Sequence, residues 1–109
     1  MALAQALERE RDPTVATAMI EALGAIGSDE AAIVLRTVAT SRRTLFRRRG
    51  YSVARRLAAV AALAGCETRG AGRALERVAT GARGEVAEAA RRALEHRASG
   101  AQRGEAVEG

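Results

Sequence analysis

The feature that most constrains the fold of this chain is an internal repeat. Residues 22–40, ALGAIGSDEAAIVLRTVAT, and residues 62–80, ALAGCETRGAGRALERVAT, are identical at seven of nineteen positions. A shorter pattern, A-x-x-x-A-L, begins at Ala18, Ala58 and Ala89, so successive copies are separated by 40 and then 31 residues. Self-similarity at such a period indicates a repeat architecture in which each copy is one small structural unit.

The first copy predicts a pair of helices. Asp12 followed by Pro13 is typical of a helix start, because aspartate caps free N–H groups and proline needs no N–H at the first helical position. Gly27 suits the left-handed position after a helix, and Ser28 can cap a second helix that ends near Ser41. The apolar residues that recur on one face of the first helix are Val15, Met19, Leu23 and Ile26.

The second copy repeats this design, with Ser52 as the cap of its first helix and Gly65 near the end of that helix. The predicted core positions of that helix are Val53, Leu57, Val60 and Ala64. Its partner helix stops at Gly81, with core positions Ala71, Leu75 and Val78. A last helix over 84–97 turns Val86, Ala90 and Leu94 inward, and its opposite face is charged, as in a terminal capping repeat.

The composition agrees with short helices throughout. Hydrophobic residues make up 48% of the chain but aromatic residues only 2%, so the apolar content is mainly alanine, leucine and valine. Alanine is the best helix former, and its small side chain lets helices approach closely. We therefore predict an all-α fold, an α-solenoid of stacked antiparallel helix pairs with about two and a half repeats.

The predicted repeat domain covers residues 1–98. It divides into a partial repeat at 3–10, a repeat at 13–40, a basic inter-repeat loop at 41–51, a repeat at 52–80 and a capping helix at 84–97. Residues 99–109 are polar and contain glycine, which predicts a disordered tail. Since the N-terminus begins in mid-repeat without a polar cap, we expect either a longer solenoid that ends here or a partner packed on the first helices.

These helices resemble HEAT repeats of the short bacterial type found in phycobilisome-lyase proteins. The segment DPTVATAMIEALGAIGSDEAAIVL matches one unit, RRLAAVAALAGCETRGAGRALERVA a second, and GEVAEAARRALEHR the first helix of a third. The resemblance spans residues 3–97 and implies a binding scaffold, since solenoid surfaces usually bind other molecules. Asp12 is the only aspartate that opens a repeat, and Ala16 and Ala87 stand where the family often has arginine.

The sequence predicts its candidate site in residues 41–56, SRRTLFRRRGYSVARR, which hold seven arginines and the only phenylalanine and tyrosine of the chain. The simplest interpretation is a solvated connection between repeats. A protein partner could instead use arginine and tyrosine as rim and anchor residues, and a nucleic acid could use the same arginines and aromatic rings. The candidate contact residues are Arg42, Arg43, Phe46, Arg47, Arg48, Arg49, Tyr51, Arg55 and Arg56, with the second helices (about 29–40 and 69–80) as the accompanying surface.

The side chains that enzymes need are scarce. The single histidine, His96, cannot form a metal site without further ligands, and Cys66 and His96 fall in different hairpins with no orienting residue evident. The glycine pairs follow no strand and so are not phosphate loops. We therefore expect a non-catalytic scaffold without cofactors, and a lyase-type role rests on the resemblance alone.

The expected setting is the cytoplasm. The one cysteine, Cys66, sits where an apolar residue is expected, which predicts a buried, unreactive thiol. The N-terminal residues lack the pattern of a signal peptide, and no apolar run is long enough to cross a bilayer. The expected partner is a protein or neighbouring repeats of a longer chain; nucleic acid stays possible, and a membrane is not expected.

Overall fold

The computed structural model describes residues 2–40 and 52–108, with side chains for 5–7, 9–40 and 52–99. This part of the chain is helical, without β-strands, which confirms the predicted all-α class. Its helices are α1 (Ala2–Arg9), α2 (Pro13–Ile26), α3 (Asp29–Thr40), α4 (Val53–Gly65), α5 (Arg69–Gly81) and α6 (Gly84–Glu108). Helices α2 and α3 form the first copy of the sequence repeat, and α4 and α5 form the second.

Side-chain caps fix where the repeated helices begin. The N–H of Thr14 donates to the Asp12 carboxylate at 2.9 Å, and Ser52 accepts in the same way at the start of α4. The second helices are capped by Ser28 and Thr68. Both pairs of caps are 40 residues apart, so the repeat preserves the helix starts as well as the core. Gly27 ends α2 with a positive φ of 65°, as predicted.

Helices two apart along the chain lie side by side. Helix α4 packs between α2 and α6, and α3 packs against α5, while α2–α3, α4–α5 and α5–α6 also make contact. Most of the identities in the repeat fall in the core between these helices. The pairs buried in both copies are Leu23/Leu63, Ala31/Ala71, Leu35/Leu75 and Val38/Val78.

The buried face of α2 differs from the predicted one. Val15 and Ile26 are 40% and 55% exposed, whereas Ala16 and Ile20 are fully buried beside Leu23. Helix α2 has apolar residues on every side, so its periodicity did not define one face. In α4, likewise, Val53 is 48% exposed and Ala64 lies at the surface, while Ala59, Val60 and Leu63 are buried.

The last helix is longer than the sequence predicts. Helix α6 begins at Gly84 and continues to Glu108, through residues for which a disordered tail is predicted. No proline interrupts 99–108, and glutamate, glutamine, arginine and alanine within it are good helix formers, so the backbone continues an established helix. The predicted inward face holds: Val86 and Ala90 are buried and Leu94 packs against the core.

Candidate functional site

Helices α3 and α5 run in the same direction and in register. At their N-terminal ends the Asp29 side chain lies directly over Gly70, where an added Cβ would clash with the Asp29 carboxylate. At their C-terminal ends Thr40 lies against Gly81, with Thr40 Cγ2 4.0 Å from an added Cβ. The two helices therefore stay side by side over their whole length, and the second helices of the repeat form one continuous surface.

A groove of about 610 Å³ follows the line between these two helices. Its floor includes the small, nearly buried residue Ala74, while Gly70 lies beneath the Asp29 carboxylate. Its walls carry larger side chains, of which four are arginines. The wall residues are Asp29, Ile33 and Arg36 from α3, and Arg69, Arg73 and Arg77 from α5.

The groove is strongly basic because four of these side chains are cationic and only Asp29 is acidic. Within the described part of the chain, none of the four guanidinium groups forms a salt bridge or a hydrogen bond, although Arg92 on α6 pairs with Glu88 at 3.3 Å. Their charges are therefore available to a ligand. Carboxylates and phosphates are the groups that arginine binds best, because its planar fork of N–H donors matches them.

The spacing of the α5 arginines carries an energetic cost. Arg69, Arg73 and Arg77 are four residues apart, so each lies directly above the next on the helix surface. Like charges at this spacing destabilise a helix by about 0.2–0.5 kcal/mol per pair. Asp29 is the only acid among the described lining residues, and on α5 itself Glu76, three residues after Arg73, is the acid placed to offset part of this repulsion. Such an arrangement is typical of a surface shaped by binding rather than by stability.

Two of the predicted contact residues have partners inside the fold. The Arg56 Nε–H donates to the carbonyl of Ala39 at 2.9 Å, near the end of α3. Arg55 donates to the carbonyl of Glu10 at 3.3 Å, just beyond α1. Both arginines are partly buried, and both satisfy carbonyls that a helix end leaves without a partner. They join the start of α4 to the ends of two other helices.

The other predicted contact residues, Arg42, Arg43, Phe46, Arg47, Arg48, Arg49 and Tyr51, lie outside the described residues. Of the predicted site, the structure therefore places Arg55, Arg56 and the surface of the second helices. Arg55 and Arg56 point into contacts with α1 and α3, and the groove lies on the second helices.

A third arginine fastens the connection between α4 and α5. Arg97 of α6 donates to the carbonyls of Cys66 and Thr68, the latter at 3.0 Å. Its guanidinium also lies over Gly72, where an added Cβ would be 3.3 Å from one of its nitrogens. The last helix thus holds α5, and with it one wall of the groove, against α4.

Cys66 is buried, as predicted, at the end of α4. Its Sγ lies 3.3 Å from the carbonyls of Gly24 and Ala62, a distance at which the thiol can donate to either. Burial raises the pKa of this thiol, and the positive charge of Arg97 opposes part of that rise. A neutral, enclosed thiol is a poor nucleophile, so Cys66 serves the packing of α2 against α4.

Metal-binding clusters and membrane-spanning helices are both absent from the described residues. These residues contain no cluster of three or more histidine, cysteine or acidic side chains able to hold a metal ion. His96 is exposed on α6 and is not among the described residues that line the groove. Of the helices the structure describes, none combines the length and apolar character needed to span a bilayer.

The groove arginines were not among the predicted contact residues, although the sequence carries a signal for three of them. Arg69, Arg73 and Arg77 repeat at four-residue intervals on a helix whose end and core are predicted correctly. In the sequence repeat they align with Asp29, Ile33 and Thr37, so the basic stripe belongs to the second copy alone. Arg36 joins them only because α3 and α5 are neighbours in space.

Comparison with known proteins finds no matching family model, and no curated protein or solved structure is significantly similar to the chain.

Proposed function

We propose that this protein is a non-catalytic scaffold of HEAT-like helical repeats that binds a protein partner in the groove between α3 and α5. The observation that carries the proposal is the groove itself, with four arginines that form no salt bridge or hydrogen bond within the described residues. Charged side chains of this kind, gathered along one open surface, are typical of a binding site.

The architecture supports a repeat scaffold. The caps and the buried pairs recur at an offset of 40 residues, and equivalent helices lie beside each other, α2 with α4 and α3 with α5. Stacking of this kind is how an α-solenoid buries the apolar faces of its helix pairs. In such a solenoid the second helices form one surface, which is where the groove lies. Further repeats of a longer chain would extend the same surface.

Nucleic acid is the second candidate partner, because unpaired arginines also neutralise phosphates. The groove gives this candidate less support than it gives a protein. The lining residues that the structure describes include no aromatic side chain on which a base could stack, and the Asp29 carboxylate repels phosphate at one end. The free thiol of Cys66 fits a reducing compartment, so we propose a cytoplasmic location for either function.

The test is selection of ligands from a random peptide library displayed on phage, with the intact chain as bait. The double variant Arg73→Ala/Arg77→Ala removes two groove charges, and Arg91→Ala/Arg92→Ala removes two exposed charges from α6 as a matched control. We expect selected peptides that bind the wild type and the control equally and bind the groove variant at least about tenfold more weakly. Selected peptides that bind all three chains equally would place the partner site elsewhere.

Oligonucleotides test the second candidate on the same three proteins. Binding to phosphates falls by about a thousandfold or more between about 50 and 200 mM salt. A labelled single strand that binds tightly, with this salt dependence, and is lost in the groove variant would favour nucleic acid over protein. Absence of binding at the lower salt concentration would remove that candidate.

A further inference from the structure

The chemical character of the groove changes along its length. Because α3 and α5 are parallel and in register, residues of the two walls face each other in order. Asp29 lies on Gly70 beside Arg69 at the N-terminal end, and the same offset puts Ile33 level with Ala74 beside Arg73 in the middle and Arg36 level with Arg77 toward the C-terminal end. The lining thus passes from an acid beside a base, through an apolar residue beside a base, to two bases.

The middle of the groove offers an apolar contact. Ile33 is 54% exposed, one of the most exposed large apolar side chains in the described part of the chain. Beside it the floor is formed by Ala74, whose methyl group leaves room for a side chain from a ligand. An occupant that covers Ile33 removes its apolar surface from water, and the burial of one such side chain contributes favourably to binding.

We propose that the groove binds a short acidic peptide segment in which an apolar residue is followed by carboxylates. The apolar residue covers Ile33, and the carboxylates pair with Arg36 and Arg77. Arg73 lies between these two positions and can pair with the carboxylate nearest to the apolar residue. This proposal rests on the proposed function and specifies the partner of the same site. For a segment with this order of residues, only one orientation brings its acids to the end with two arginines.

The length of the groove limits the segment. Asp29 and Arg36 are separated by about 10 Å along the helix axis, at about 1.5 Å per residue. An extended peptide covers about 3.3 Å per residue, so about three or four residues of the ligand lie between the walls. A peptide is favoured over a nucleic acid here, since Ile33 provides an apolar contact in the centre and Asp29 repels phosphate at one end.

The experiment is fluorescence anisotropy with four labelled probes. The first peptide carries one leucine followed by three glutamates; the second has glutamines in place of the glutamates, and the third has serine in place of the leucine. The fourth probe is a single-stranded oligonucleotide. We expect the first peptide to bind the intact chain and the glutamine peptide to bind at least about tenfold more weakly, because charge-assisted hydrogen bonds are lost.

Variants connect the binding to the groove. Arg73→Ala/Arg77→Ala should weaken the first peptide at least about tenfold, whereas Arg91→Ala/Arg92→Ala should leave it unchanged. Ile33→Ser should reduce affinity for the leucine peptide but not for the serine peptide. The proposal is overturned if the glutamine peptide binds as well as the glutamate peptide, if neither binds, or if the oligonucleotide binds more tightly than every peptide and loses that binding in the groove variant.

The selection from a random library separates this proposal from the broader one. If neutral or basic peptides are selected and depend on Arg73 and Arg77, the groove is a protein-binding site whose ligand is not acidic. If no groove-dependent peptide is selected, the proposed function fails together with the acidic ligand. Circular dichroism of each variant shows that the helices are retained.

Discussion

Gly24 of α2 packs directly on Ala62 of α4, so closely that a Cβ added to Gly24 would lie 3.0 Å from the Cβ of Ala62 and 3.3 Å from its backbone. Cys66 adds a contact from its sulfur to the Gly24 carbonyl. The two first helices of the repeat therefore approach closely at this point, and a Cβ at Gly24 would require Ala62 to shift by a few tenths of an ångström.

Gly24→Ala should destabilise the protein. Alanine gains about 1 kcal/mol of helix propensity over glycine, but its Cβ would press on the Cβ and the backbone of Ala62, which can yield only through a small shift of α4. Forcing a methyl group into a packed contact typically costs about 1–3 kcal/mol, so we expect a net loss of up to about 2 kcal/mol in the free energy of unfolding, measured with urea.

Gly65→Ala is the matched control for that change. An added Cβ at Gly65 meets no atom within 4 Å, and its φ is not positive, so alanine should be neutral or stabilising by up to about 1 kcal/mol. Equal effects at Gly24 and Gly65 would show that the contact between α2 and α4 is looser than described.

Arg56→Ala should destabilise the protein as well, because Arg56 satisfies the carbonyl of Ala39. Loss of a hydrogen bond from a charged donor costs about 1.5–3 kcal/mol, with the lower end expected for a partly buried side chain. Arg56→Lys keeps the charge but lacks the Nε–H, and should recover only part of the loss. If urea denaturation shows no difference between wild type and Arg56→Ala, the hydrogen bond from Arg56 to Ala39 does not contribute to stability.

Arg73→Ala should have the opposite effect on stability. It removes two like-charge neighbours, Arg69 and Arg77, and one opposite-charge neighbour, Glu76, each worth about 0.2–0.5 kcal/mol. We expect the free energy of unfolding to rise by up to about 0.5 kcal/mol at about 10 mM salt, and the gain to disappear at about 1 M salt, where charges are screened. A stable variant that no longer binds ligand would separate the role of Arg73 in binding from any role in folding.

The control for Arg73 is Arg92→Ala, which removes an attractive pair with Glu88 from α6. Exposed pairs of this kind contribute about 0.3–0.5 kcal/mol, so the stability should fall slightly at low salt. If both variants change stability in the same direction, repulsion along α5 is not the cause of the effect.

The buried thiol of Cys66 should make the free energy of unfolding depend on pH. Burial raises the pKa of its thiol in the folded state, with Arg97 opposing part of the rise. Above about pH 8.5, where an unfolded cysteine loses its proton, the folded state still holds the proton and binds more protons than the unfolded state. Stability therefore falls as the pH rises through this range.

The measurement is the free energy of unfolding in urea between about pH 7 and pH 10. The wild type should lose more stability than Cys66→Ala over this interval, since alanine has no proton to release. Parallel curves for the two proteins would contradict a buried thiol. The same burial should make alkylation of Cys66 slow until urea unfolds the chain.

The sequence predicted the helix starts well because caps act locally. Asp12, Ser28 and Ser52 each lie next to the backbone groups they satisfy, so a short stretch of sequence is sufficient to find them. The core of α5 was also predictable, because charged residues surround Ala71, Leu75 and Val78 and leave one apolar face. Helix α2 offered no such contrast, and the prediction placed Val15 and Ile26 in the core although they are exposed.

The candidate site was harder to predict because it depends on contacts between distant segments. Arg36 and Arg77 are far apart in sequence and face each other only because α3 and α5 pack in register. Arg55 and Arg56 belonged to a conspicuous basic run, and nothing in that run showed that their partners are the carbonyls of Glu10 and Ala39. The role of 41–51 stays a prediction.

The contact of Arg97 with the connection between α4 and α5 has a consequence for synthesis on the ribosome. The carbonyls of Cys66 and Thr68 leave the ribosome about thirty residues before the guanidinium that binds them. At a translation rate of about 5–20 residues per second, Arg97 is synthesised within seconds of the two residues whose carbonyls it binds. Arg97 can therefore fasten α5, and with it one wall of the groove, only after both wall helices have been synthesised.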